Sequence, residues 1–116
     1  MSEEELLQLL ESKDINDIYE ALGAIGKKKL KKALESLKYK ALYDDDLGIQ
    51  EEAIRTIRRI GGKKALDTLR FLKTTDHKYF IEAILKYGAD VDQIDVHYYI
   101  KEREDEKRRK NQFRRN

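Results

Sequence analysis

The sequence predicts an all-α protein: an α-solenoid of about three helix pairs, with an N-terminal capping helix and a charged C-terminal helix. Three observations carry this reading. The 116 residues hold no proline and only six glycines, so little interrupts a helix. Apolar residues recur every three or four positions as far as Ile100. A block of apolar residues followed by Ile-Gly and lysines appears twice, 35 residues apart. Recurrence at that period marks stacked helix pairs, none of which can bury its apolar stripe alone.

The elements follow in order. Ser2 and Glu5 form a capping box ahead of Leu6, Leu7, Leu9 and Leu10, and this helix ends near Ser12. Asp14 caps a second helix with Ile15, Ile18, Leu22 and Ile25 inward, and Gly26 is expected to supply its left-handed end. A third helix runs from about Lys28 to Tyr43 on Leu30, Ala33, Leu34, Leu37 and Ala41. Asp44–Asp46 would oppose the negative end of that helix and suit the start of the next, so a boundary falls there. Helix four buries Ile49, Ala53, Ile57 and Ile60 and stops at Gly61–Gly62. Helix five covers about Lys63–Lys73. The run Thr74-Thr75-Asp76 caps helix six, which ends at Gly88, and Asp90 or Asp92 caps the last helix. Ile94, His97 or Tyr98, and Ile100 are expected to dock that helix. Nothing apolar lies from Lys101 to Gln112, so its second half should project or fray.

A shift of 35 superposes Leu22 on Ile57, Ile25 on Ile60, Gly26 on Gly61, Leu34 on Leu69, Leu37 on Leu72 and Lys38 on Lys73. A weaker third copy places Ile84, Tyr87 and Gly88 on Ile57, Ile60 and Gly61. The middle copy, "DLGIQEEAIRTIRRIGGKKALDTLRFL", resembles the short prokaryotic HEAT-like repeats, of the kind also found in phycobilisome lyases. Asp46, Ile49, Ala53, Ile57, Ile60 and Gly61 match the pattern, while Leu47 and Gln50 stand where proline and arginine are usual. The likeness covers roughly residues 14–95 and implies a scaffold, since such modules mostly bind proteins and some bind DNA. The expected organisation is a HEAT-like domain over 1–100, with repeats near 14–43, 46–73 and 76–100, and a basic helical extension over 101–116.

Composition excludes several chemistries. Without cysteine there is no disulfide, zinc-thiolate site or thiol nucleophile. No apolar run approaches a membrane span, and the acidic start lacks the features of a secretory signal, so a cytoplasmic protein is expected. Abundant Lys, Glu, Ile and Tyr with few Asn and Gln is the composition of heat-adapted proteins. His77 and His97 lack the i,i+4 pairing of a helical metal site and read as structural. HEAT-like iron hydroxylases carry His-Glu pairs; Lys78 and Tyr98 follow the histidines here. Asp44–Asp46 lacks the spacing of a calcium loop. No catalytic residue, metal ligand or cofactor is expected.

The charges are more informative. In a solenoid, Lys27, Lys28, Lys29, Lys63 and Lys64 should line one edge as a ridge able to meet phosphates. The third turn carries Asp90, Asp92 and Asp95 instead, and Lys31 and Lys32 stand at helical spacing from Lys28 and Glu35 as on a solvated face. Arg55, Arg58 and Arg59 lie off the apolar face, with Glu51–Arg55 a favourable i,i+4 pair. The tail holds Lys107, Arg108, Arg109, Lys110, Arg114 and Arg115 with one aromatic, Phe113, and no acid. The expected function is a non-catalytic interaction module, a scaffold or adaptor binding another protein on the second helices of its pairs. The alternative is a nucleic-acid-binding protein using Lys27, Lys28, Lys29, Lys31, Lys32, Lys63, Lys64 and the tail. Open solenoid ends also permit self-association.

Overall fold

The computed structural model describes residues 1–114, with side chains through Gln112. The described chain is α1 (Glu3–Leu9), α2 (Ile15–Lys28), a 3₁₀ turn (Lys31–Ala33) entering α3 (Leu34–Tyr43), α4 (Leu47–Ile60), α5 (Gly62–Leu72), α6 (Lys78–Tyr87) and α7 (Gln93–Arg114), with no strand among the described residues. Helix α4 packs on both α2 and α6, α3 packs on α5, α1 covers α2, and α7 rests chiefly on α6. The result is an elongated α-solenoid of 59 × 29 × 22 Å.

One apolar core runs the length of the stack. Leu6 and Leu10 of the first helix, Leu22 and Ile25 of α2, Leu37 of α3, Ile54 and Ile57 of α4, Leu69 and Leu72 of α5, Ile81 and Ile84 of α6, and Val96 of α7 are all fully buried. Each is an inward position of a three-to-four repeat, so the sequence period dictates the packing. Ile15 does not follow: it is 42% exposed in the first turn of α2.

Helix starts use the expected capping side chains. Ser2 accepts from the Glu5 N–H at 3.2 Å, Asp14 from Asn16 at 2.9 Å, Asp46 from Ile49 at 3.1 Å and Asp92 from Ile94 at 2.7 Å. The start of α6 differs. Thr75 accepts the His77 N–H and donates to the Leu72 carbonyl, so it serves the turn, and α6 begins at Lys78 without a side-chain cap.

The first Ile-Gly pair corrects the sequence reading. Gly26 does not end α2. The helix continues to Lys28, and Lys29 adopts the left-handed conformation at φ 52°, ψ 52°. The Leu30 N–H reaches the Ile25 carbonyl, closing a Schellman-type end. Gly26 is small for another reason: a Cβ there would lie 3.2 Å from Cδ of Arg59 and 3.6 Å from Cγ2 of Thr56, where α2 approaches α4. Gly61, at φ 69°, does turn the chain, and it joins α4 directly to α5.

Of the residues expected to dock α7, Ile100 packs on the core, and the rest of the docking face differs. Val96 is fully buried, and Tyr99 and Ile100 are partly buried against the core, while Ile94 and Tyr98 are 66% and 65% exposed and His97 is exposed. Val96, Tyr99, Ile100 and Arg103 share one side of the helix. Arg103 meets Glu82 at 3.9 Å, and the Tyr99 hydroxyl donates to Glu82 at 3.2 Å. The charged half therefore runs beside α6 instead of projecting from Lys101.

Candidate partner-binding face

The second helices of the first two pairs collect positive charge. Residues 31–43 carry Lys31, Lys32, Lys38 and Lys40 against Glu35, and residues 62–73 carry Lys63, Lys64, Arg70 and Lys73 against Asp67. Each stretch is thus +3, together +6 on a chain whose net charge is +2. Helices α3 and α5 pack side by side in one layer of the solenoid, although Lys40, 12% exposed, is turned in to Asp44 at 3.4 Å. At the start of this pair, Lys31, Lys32, Lys63 and Lys64 surround Gly61 and Gly62 in an open groove. The first turn of α5 has no side-chain cap there, so its free N–H groups add to the positive potential.

Aromatic rings continue the same face. Tyr39 and Tyr43 are 63% and 65% exposed and pack against each other at 4.8 Å between centroids. Phe71 of α5 is 48% exposed, with the Lys38 ammonium 4.4 Å from its centroid, which fixes α3 against α5 at this end. Sequence reading singled out the lysines and passed over these rings. The signal was present, since Glu35, Tyr39 and Tyr43 recur in steps of four away from the buried stripe.

The remaining candidates divide. Lys31 and Lys32 meet Lys63 and Lys64, whereas Lys27 and Lys29 line a separate depression with Gly23, Gly26, Glu52 and Arg59 on the α2–α4 side. Lys28 donates to the Met1 carbonyl, and Lys32 and Lys63 are ion-paired with Glu3 and Asp67 at 3.5 and 3.3 Å. Lys107 and Lys110 line a third groove with Lys78, Tyr79, Glu82, Arg103 and Glu106. Arg108 and Arg109 are exposed on α7. The Phe113 and Arg114 side chains and Arg115 lie outside the described residues.

Arg55 and Arg59 of α4 are structural. Arg55 does not pair with Glu51; its guanidinium donates to the carbonyls of Ala89 at 2.6 Å and Val91 at 2.9 Å and to Gln93 at 3.0 Å. It also lies 4.0 Å from Glu52 and stands over the Phe80 ring. Arg59 bridges Glu52 and Asp90, each at 2.9 Å. Burial alone would lower the Arg59 pKa, but the hydrogen bonds to these two carboxylates outweigh it and raise the pKa. Asp90, where a third lysine turn was sought, is thus the partner of Arg59. His77 faces the Gln50 amide at 2.8 Å, and Gln50 in turn donates to the Asp44 carbonyl, linking the α5–α6 and α3–α4 turns. His77 is thereby engaged in structure. Among the described residues no three His, Asp or Glu side chains converge as metal ligands, and no helix is long and apolar enough to cross a membrane.

A family model described as HEAT repeats matches residues 3–86, which spans α1 to the last turn of α6. The chain belongs to the HEAT-repeat family. Neither a curated protein nor a solved structure matches it significantly. The HEAT match includes the whole lysine-aromatic face of α3 and α5 and stops before α7.

Proposed function

We propose that this HEAT-repeat chain is a non-catalytic adaptor that presents α3 and α5 as its binding face to an anionic partner. The observation that carries the reading is the gathering of +6 charge and three exposed aromatic rings on two adjacent second helices of a chain that is otherwise net negative. HEAT repeats commonly serve as interaction scaffolds, which supports the class of function. The likeness of Asp46, Ile49, Ala53, Ile57, Ile60 and Gly61 to the short HEAT-like repeats also found in phycobilisome lyases supports a scaffold reading of the middle pair.

The charge acts as a steering and docking potential for a flexible acidic chain, and the rings supply apolar contact that lysines alone lack. The test is binding of a labelled polyglutamate peptide to the full chain and to the double variant Lys31→Glu, Lys64→Glu. Neither lysine forms an ion pair among the described residues, so folding should be unaffected. Loss of binding in this variant, with retention in Lys27→Glu, supports the face. Equal loss in both, or none in either, removes it.

A further inference from the structure

The chemical class of the partner can be read from how the two halves of this face are joined, an inference that rests on the face proposed above. We propose that α3 and α5 form a track for single-stranded nucleic acid, with Lys31, Lys32, Lys63 and Lys64 meeting phosphates and Tyr39, Tyr43 and Phe71 receiving bases.

The groove at Gly61–Gly62 and the aromatic cluster lie at opposite ends of the same helix pair. Contact at the first is marked by the four lysines, and contact at the second by Lys38 over Phe71. Along α3 the exposed stripe runs Lys31 or Lys32, Glu35, Tyr39, Tyr43; along α5 it runs Lys64, Thr68, Phe71. From Lys31 to Tyr43 the helical path is about 18 Å. That length holds on the order of five nucleotides at the stacked spacing of about 3.4 Å.

A purely acidic peptide such as polyglutamate, with no apolar side chain, would use the lysines and leave the rings idle. A duplex would do the same, because its base faces are stacked inside. Unpaired bases use both, since any base offers a face to an exposed ring. Tyr39 and Tyr43 sit one turn apart, about 6 Å along the axis, and 63% and 65% of their surfaces are open to a ligand. Glu35 is the one acid in the α3 stripe. It opposes phosphate binding locally, so its neutralisation should tighten the complex.

The experiment is fluorescence anisotropy with a 12-nucleotide oligo-dT and a 12-nucleotide oligo-U, the same-length duplex, and a 12-residue polyglutamate peptide. Four phosphate contacts imply a single-strand salt slope of about −2.8, or roughly 50-fold weaker binding between 50 and 200 mM salt. Tyr39→Ala should weaken single-strand binding about tenfold or more while leaving the salt slope unchanged. Lys64→Gln should reduce the slope by about 0.7, and Glu35→Gln should tighten binding. Circular dichroism of each variant checks folding. Polyglutamate binding that depends on Lys31 and Lys64, without single-strand binding, overturns this inference and leaves the face standing. Duplex bound as tightly as single strand, or indifference to Tyr39→Ala and Phe71→Ala, also overturns it. So does binding that vanishes on deletion of residues 107–116 but survives the face substitutions, because that assigns it to the tail.

Discussion

Arg55 holds the third repeat to the second, and replacing it with methionine tests this directly. The side chain is only 11% exposed, and its guanidinium closes on two backbone carbonyls of the loop before α7 and on the Gln93 amide that begins it. A hydrogen bond made by a charged group contributes roughly 1.5–3 kcal/mol. The three do not add fully, since Ala89 and Val91 are partly exposed and their carbonyls regain water. Methionine keeps the stem packed near Phe80, so the loss is largely polar. We expect destabilisation of about 3 kcal/mol, a large part of the roughly 5–15 kcal/mol typical of a domain. In urea this moves the midpoint down by about 1–2 M at an ordinary slope. Arg55→Lys should recover only about a third, because one ammonium cannot span both carbonyls and the amide. Hydrogen exchange should accelerate first at the start of α7, including the Val96 N–H that bonds to the Asp92 carbonyl. A midpoint shift under about 0.3 M, with exchange in α7 unchanged, would refute the staple.

Three further outcomes follow from other parts of the fold. Lys29→Gly should stabilise the chain by about 0.5–1 kcal/mol in urea denaturation, because φ 52° costs a side-chain-bearing residue and not glycine. Val96→Ala should cost about 2 kcal/mol and Ile94→Ala less than about 0.5, since the first is fully buried and the second is 66% exposed; equal effects would show that α7 docks differently. Burial, then the nearby Glu82 carboxylate, raises the Tyr99 pKa above 10.0, with Arg103 opposing. A phenol raised in the folded state contributes stability that is present below pH 10.0 and lost as pH climbs through the folded value. Tyr99→Phe should therefore flatten the decline in urea midpoint above pH 10.0, and the 295 nm titration should lose an absorbance step above that value.

What the sequence revealed and what it hid divide along physical lines. Buried stripes were legible because a helix repeats every 3.6 residues and the core accepts only apolar side chains. Leu22, Ile57 and Leu72 could be placed from spacing alone. Caps at Ser2, Asp14 and Asp46 were legible because short polar side chains satisfy free N–H groups. The phase of α7 was not, since isoleucine, valine and tyrosine residues occur on both sides of its first three turns. Only contact with α6 selects Val96 over Ile94. Arg55 was hidden for a related reason: a long cation off the apolar stripe looks solvated until a loop 34 residues away folds over it. Gly26 misled because small size serves a tight turn and a close helix approach equally well.

The acidic third turn also has a different meaning in three dimensions. Read linearly, Asp90 breaks a lysine ridge and weakens any case for a charged edge. In the fold, Asp90 and Glu52 hold Arg59, which lies against Gly26, so the pair locks α2, α4 and the third turn together. A lysine at position 90 would repel Arg59 and leave it half-buried beside only one carboxylate. A third lysine turn is therefore incompatible with this ion pair, and the third turn carries the acid that meets Arg59. With Arg55 and Arg59 of α4 engaged in this way, the proposed face draws its charge from α3 and α5. Lys31 and Lys64, which form no ion pair among the described residues, stand at one end of this helix pair and the exposed rings at the other.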